Sequence, residues 1–192
     1  MGQVLGKSLL PFKIFNRLIK TRRKLMNLIV AVDKNWGIGY QRDLLAKIPQ
    51  DLKFFKEQTT GKVVIMGRKT LESMPGGRPL PSRLNIVITN QKNYTVEGAM
   101  VAHSVEEALE LTKDYKKEDI FVIGGEAIYR QMLDKCTIAY VTKIDHKYKA
   151  DTFFPNLDQL EDWEAAHVAA VQIYQGLEYS FCKYERVIKG IE

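Results

Sequence analysis

A glycine followed by two cations and a hydroxyl, Gly67, Arg68, Lys69 and Thr70, is the densest concentration of chemistry in this sequence. It follows the apolar run Val63, Val64, Ile65 and Met66, so a buried parallel strand would deliver backbone amides, two positive charges and a hydroxyl to one point as a helix begins. That set suits a phosphate, because glycine permits close backbone approach and the two cations pair with its oxygens. A second unit has the same form: the apolar run 120–123 ends in Gly124-Gly125 and opens a helical pattern with Ile128, Met132 and Leu133 on one side. Two such units place amides and helix N-termini at the carboxyl edge of a sheet, where open α/β sheets hold nucleotides. Neither has the GxGxxG or GxxxxGK(S/T) spacing, so those two nucleotide-binding classes drop in rank. Taken singly, each segment could equally be an ordinary strand-to-helix turn with solvated charges.

The third candidate is an acid. In IPQDLKFFKEQT (48–59), Pro49 is well placed to open a helix, and Asp51, Phe55 and Thr59 then recur at i, i+4 and i+8. A carboxylate on an apolar helical face must meet a partner or carry a raised pKa. The plain alternative is that Asp51 only stabilises the first helical turn through its charge.

The elements that must position these groups follow from the periodicity. Strands are expected near 27–33, 62–67, 84–89, 99–102, 119–123, 136–144, 165–171 and 178–187, with helices near 50–59, 69–74, 104–114 and 125–134. This alternation predicts an α/β fold: a mostly parallel eight-stranded sheet with an antiparallel C-terminal edge and four flanking helices. Tyr174, Gln175 and Gly176 join the last two strands, and the loop 34–48 is long enough to act as a lid.

Seven segments, NLIVAVDKNWGIG, IPQDLKFFKEQT, VVIMGRKTLESM, RPLPSRLNIVIT, FVIGGEAIY, VTKID and ADTFFP, match in order and spacing those of one family. Over 27–187 the chain resembles dihydrofolate reductase of the bacterial type. The resemblance implies that Asp51 is the sole ionisable side chain in the pterin pocket and the catalytic residue. It assigns Ile29, Ala31, Leu52, Phe55, Ile123 and Thr142 to the pterin site, and Ser73, Met74 and Leu80 to the flanks of the benzoyl group. Arg83, with Lys56 close by, would pair with the α-carboxylate of the substrate's glutamate tail. For the cofactor, NADPH, it assigns Ala31, Ile38, Gly67, Arg68, Lys69, Thr70, Thr89, Gly124, Gly125, Glu126, Ala127, Ile128 and Tyr129, with a cis peptide at Gly124-Gly125. One departure matters: the family usually reads Leu-Pro-Trp-x-Leu-Pro before the helix, and here stand Leu44, Leu45, Ala46, Lys47, Ile48 and Pro49. The methyl group of Ala46 thus replaces an indole that closes the loop over the pterin, and Trp36, ten positions earlier, is not expected to substitute.

The family's chemistry is transfer of a hydride from NADPH to C6 of 7,8-dihydrofolate with protonation at N5, giving 5,6,7,8-tetrahydrofolate. Asp51 would fix the ring through its 2-amino group and N3, and solvent admitted by the lid would supply the proton. Arg68 and Lys69, with the Thr89 hydroxyl, offer the charge to prefer a 2′-phosphate, hence NADPH over NADH. The alternatives are a pyrimidine reductase of riboflavin synthesis, against which the Asp51 helix and Arg83 segment speak, and a pterin-binding protein without turnover.

Length and charge bound the rest. The 192 residues suit one domain with a substantial core, and no apolar run approaches a membrane span. The formal charge is +6, but residues 1–25 hold Lys7, Lys13, Arg17, Lys20, Arg22, Arg23 and Lys24 and no acid, so +6 less +7 leaves −1 for the remainder. A nucleic-acid partner is therefore not expected. The basic leader 1–25, distinct from a domain 26–192, resembles a transit or membrane-surface segment. It reads as an upstream start with Met26 as the initiator, as a disordered tail, or as organelle targeting. Cys136 and Cys182 form no CxxC, and His103, His146 and His167 are scattered, so neither a disulfide framework nor a metal site is expected. A reduced, cytoplasmic monomer that binds dihydrofolate and antifolate inhibitors is the expectation.

Overall fold

The apolar runs form strands because each supplies two opposite buried faces. The computed structural model describes residues 26–187; the leader 1–25 falls outside them. In chain order the first elements are β1 (Met26–Val32), β2 (Gly37–Tyr40), β3 (Asp43–Leu44), α1 (Pro49–Thr59), β4 (Val63–Gly67), α2 (Arg68–Ser73), β5 (Leu84–Ile88) and β6 (Ala99–Ala102). There follow α3 (Val105–Leu111), β7 (Ile120–Gly124), α4 (Glu126–Met132), β8 (Cys136–Ile144), β9 (Thr152–Phe153), β10 (Trp163–Val168), β11 (Gln172–Tyr174) and β12 (Leu177–Arg186).

The main sheet runs β10-β12-β8-β1-β7-β4-β5-β6, with β11 also paired to β12. From β8 to β6 every pairing is parallel, and β12 closes the C-terminal side antiparallel to β8. This is the expected α/β sheet, with a ninth short strand at its edge. Period-two alternation divides the strand residues between two cores. Leu28, Val30, Val63, Ile65, Ile86 and Val122 join one cluster with Val105 and Ala108 of α3 and Ile128, Tyr129 and Met132 of α4. Their sequence neighbours Ile29, Val64, Met66, Val87, Phe121 and Ile123 join the other, against Phe54 and Phe55 of α1 and Leu71 of α2. Each fully buried Val or Ile contributes about 1.5–3 kcal/mol, which fixes register, since a one-residue slip would exchange the two sets.

Two expectations change in detail. The segment 165–171 is not one strand: β10 pairs with the far half of β12, β11 with the near half, and the chain breaks between them. The ten residues of β12 are long enough to carry both short partners, and Gln175 (φ 50°) and Gly176 (φ 79°) make the two-residue turn of the β11–β12 hairpin. The lid 34–48 is not wholly loop either. β2 and β3 form a hairpin within it, and β2 pairs with β9 to make a second, three-stranded sheet.

Candidate active site

Pro49 occupies the first turn of α1 after Ile48, whose extended backbone (φ −94°, ψ 115°) ends the lid. The first turn aims Asp51 across to β8, where Thr142 Oγ1 donates a hydrogen bond of 2.6 Å to Asp51 Oδ1. Burial pushes the Asp51 pKa above the usual carboxylate value, and the Thr142 bond works against that rise. The other oxygen, Oδ2, takes no hydrogen bond among the described residues. Burial, reinforced by the Asp51 charge, also raises the pKa of the phenols of Tyr129 and Tyr179. Both stay donors: Tyr129 to the Ile29 carbonyl at 2.7 Å, Tyr179 to Gln172 Oε1 at 2.9 Å. Asp51 therefore does more than stabilise its helix.

The side chains expected at the pterin and benzoyl positions divide between two clusters and the surface. Ile29 and Ile123 belong to the buried cluster on which Phe55, Met74 and Leu80 pack, while Ala31 packs with Ala46 on Ile48. Leu52 is 46 % exposed, and Ser73 is exposed with its hydroxyl donating to the Thr70 carbonyl at 2.8 Å. Arg83 sits at the outer end. Its Nε donates to Thr59 Oγ1 at 2.9 Å, Nη1 to the Pro81 carbonyl at 2.7 Å, and its guanidinium lies 5.9 Å from the Phe55 ring centre. The Lys56 side chain is exposed, and its carbonyl is 3.5 Å from Arg83 Nη2. Sequence reasoning missed Asn85, which orders this end. Its buried amide accepts from Leu80 N at 2.9 Å and donates to the carbonyls of Leu80 (2.9 Å) and Arg83 (3.1 Å). The signal available was a lone amide inside the apolar strand β5.

The two glycine corners interlock. A Cβ on Gly67 would come within 3.1 Å of Ile128 Cγ1, and one on Gly125 within 3.1 Å of Thr70 Oγ1, so each corner packs on the helix that follows the other. Gly124 has φ 122°, and a Cβ there would press on the Tyr129 ring at 3.3 Å. The Gly124-Gly125 peptide is cis. Larger residues at these positions would push Ile128, Thr70 and Tyr129 aside, so glycine is what lets the two corners pack this closely. Arg68 Nη1 forks onto Glu72, at 2.7 Å to Oε1 and 2.9 Å to Oε2, while Lys69 is exposed. Thr89 is buried, its amide held by the Ala102 carbonyl at 2.9 Å. Glu126, at the start of α4, accepts from Phe153 N at 3.0 Å and pairs with Arg130; Ala127 is exposed.

The lid is held at its base by a carboxylate that sequence reasoning also missed. Asp33, only 3 % exposed, accepts from Asn35 N and Gly37 N through Oδ1, both at 2.8 Å, and from Tyr148 N through Oδ2 at 2.9 Å. Further along, Asp151 accepts from Gln41 N at 2.8 Å and donates its own amide to the Gly39 carbonyl at 3.0 Å. Ile38, on β2 between these anchors, packs against the larger core.

The model of the family described as dihydrofolate reductase matches residues 25–186. The chain belongs to the dihydrofolate reductase family. It is 38 % identical over 169 residues to the dihydrofolate reductase of Staphylococcus haemolyticus, covering 84 % of this chain and 96 % of that enzyme. To the Staphylococcus aureus enzyme it is 40 % identical over 141 residues, 73 % of this chain and 84 % of that one. The fold also superposes on dihydrofolate reductase from Enterococcus faecalis complexed with NADP(H) and RAB-propyl, with TM-score 0.75 and 36 % identity over 84 % of this chain and 96 % of that one.

Against the usual pattern of dihydrofolate reductases, the region of Ala46 is rebuilt. Ala46 packs on a small cluster centred on Ile48, Ile144 and Tyr179. Leu44 is 51 % exposed, and Leu45 turns its Cδ1 toward Gly37. Trp36 is buried on the larger core, stacked on Phe154 at 6.1 Å between ring centres and edge-on to Tyr184 at 6.2 Å. It does not stand in for the missing indole.

Proposed function

We propose that the domain 26–192 reduces 7,8-dihydrofolate to 5,6,7,8-tetrahydrofolate with NADPH, through the residues assembled above. The observation that carries the reading is Asp51, a half-buried acid tied on one oxygen by Thr142, in a fold that also interlocks two glycine corners. NADPH supplies the hydride that reaches C6. The rest is the protein's work. Asp51 Oδ2 accepts from the 2-amino group and N3 of the pterin, which fixes the ring and favours proton uptake at N5 from solvent. Ile29, Ala31, Leu52, Phe55, Ile123 and Thr142 enclose the ring, and Ser73, Met74 and Leu80 flank the benzoyl group. Arg83, pre-oriented by Thr59 and Pro81, pairs with the α-carboxylate, with Lys56 beside it.

Gly67, Arg68, Lys69, Thr70 and Thr89 hold the cofactor phosphates. Ala31, Ile38 and the run Gly124, Gly125, Glu126, Ala127, Ile128 and Tyr129 hold the nicotinamide half. The protein acts as a cytoplasmic monomer open to antifolate inhibitors. No described helix is long and apolar enough to cross a membrane. Loss of reduced-nicotinamide absorbance with dihydrofolate as substrate tests the reading. Turnover separates it from a pterin-binding protein, and failure to turn over with both ligands bound overturns it.

A further inference from the structure

We infer that Lys143 is a positioning residue for the lid: its ammonium group latches Trp36, the strained residue from which the lid strand β2 sets out. The inference rests on the function proposed above, since it takes the segment 34–48 as the cover over the pterin.

Trp36 holds a conformation that its own side chain does not favour. Its φ is 62°, in the left-handed region that a bulky residue enters only when its surroundings hold it there. The Trp36 amide donates to the Asp33 carbonyl at 3.0 Å, and the Trp36 carbonyl accepts from Phe154 N at 2.8 Å. The pairing of β2 with β9 begins at the next residue, Gly37. The course of the lid is therefore decided at Trp36.

The ring is what holds this residue in place. It is only 6 % exposed, and besides its contacts with Phe154 and Tyr184 it has Lys143 Nζ 5.1 Å from its centre. An indole is the aromatic surface that attracts a cation best. The same ammonium lies 5.4 Å from the Tyr184 ring centre and donates to Asp158 Oδ2 at 2.6 Å, while the Tyr184 hydroxyl donates to Asp158 Oδ1. Burial works against the Lys143 charge, but the bonds to Asp158 and Tyr184 hold its pKa above the ordinary lysine value, so the cation persists at neutral pH.

The position of Lys143 in the sheet ties this latch to the site. Thr142 turns toward Asp51, and Lys143, the next residue of β8, points to the opposite face, where Ala139 and Val141 join the larger core with Trp36 and Tyr184. One strand thus holds the acid on one face and the base of the lid on the other. The far end of the lid has little to grip: Leu44 is exposed, and Ala46 offers a methyl group. A lid with so weak a closing end depends on its base to stay over the pterin.

The test reads Trp36 directly. The chain has two tryptophans, and Trp163 Nε1 has no hydrogen-bond partner among the described residues, so Trp163→Phe gives up no such bond and leaves Trp36 as the sole reporter. In that background Lys143→Met is expected to raise quenching of Trp36 by acrylamide about twofold and the KM for dihydrofolate about fivefold, with kcat unchanged. Lys143→Arg, which keeps a cation over the ring, is expected to restore both. A merely structural loss would lower the folded fraction, and with it kcat, and leave KM where it was. Unchanged quenching in Lys143→Met overturns the latch. Raised quenching with an unchanged KM, or a fall in kcat alone, overturns the positioning role. A parent that does not turn over fails the function proposed above, and the quenching comparison still decides whether Lys143 holds Trp36.

Discussion

Replacing Asp51 by Asn keeps the side chain's shape and removes its charge, and its two oxygens feel the change differently. Thr142 Oγ1 still finds an acceptor in the amide oxygen at the Oδ1 position. The Oδ2 position becomes an NH2 group, so a donor faces the donor groups of the pterin edge, and the bias toward protonation at N5 disappears. A positioned group acting on a proton transfer contributes about 10²–10⁴ in rate, which is ~2.7–5.4 kcal/mol. Turnover at neutral pH is expected to fall by that much while NADPH binding and the fold persist. The loss should shrink as pH falls, because solvent acid then protonates the substrate beforehand. Stability should move the other way. Burial raises the folded-state pKa of Asp51 above its ordinary unfolded value. The native state thus binds the extra proton, and stability is fully present below the unfolded pKa and lost as pH rises through the folded one. At neutral pH the Asn variant should be at least as stable as the parent, with the advantage vanishing in acid. Steady-state rates and thermal melts from about pH 4 to pH 8 read both limbs. Near wild-type turnover at neutral pH would refute the role of Asp51, and a variant that melts earlier there would refute the account of its burial.

Arg68→Ala should weaken NADPH by about 1.5–3 kcal/mol, with little change for NADH, because it removes one charge-assisted contact to the 2′-phosphate; equal changes in the two Michaelis constants would contradict this. Asp33→Asn leaves one of the three amides around that buried carboxylate facing a donor, so melting should report a loss of about 1–3 kcal/mol, and an unchanged melting temperature would count against the clamp. Ala46→Trp should tighten diaminopyrimidine inhibitors, since Leu44 is exposed and Leu45 turns to Gly37, so neither fills the indole's place. Weaker binding would mean that the cluster around Tyr179 already occupies it. The domain 26–192 alone should match the full chain in turnover and melting, and a large loss of either would place the leader against the domain.

The apolar strands and the glycine corners were legible because burial on both faces and close backbone approach each leave a residue-type signature. Asp51 was legible as an acid on an apolar face, though its partner Thr142 lies 91 positions away and emerged from the family pattern alone. The β2–β3 hairpin was not. Its turn residues Gln41 (φ 50°) and Arg42 (φ 68°) hold a left-handed conformation normally given to Gly or Asn. Tertiary pairing with β9 imposes it on side chains that do not advertise it. Asp33 was illegible for a different reason: all three of its donors are backbone amides, and any sequence supplies those. The break between β10 and β11 falls in Ala169, Ala170 and Val171, a stretch with no turn residue, so only the pairing with β12 reveals it.

The sheet order keeps the half-buried acid apart from the cationic corner proposed to hold phosphate. Asp51 is anchored on β8, while Arg68 and Lys69 follow β4, and β1 and β7 lie between. Three strand spacings put about 14 Å between those anchor points, beyond the roughly 8–10 Å over which exposed charges interact at ordinary ionic strength. Among the described residues, burial raises the Asp51 pKa and the Thr142 hydroxyl opposes that rise. Had the glycine corner followed β1, its two cations would have pulled the carboxylate's pKa down and competed with the pterin for it. Because it follows β4, charge can be changed at the phosphate end without moving the acid. On the proposed assignment, the pH profile should report Asp51, and the choice between NADPH and NADH should report the corner that follows β4.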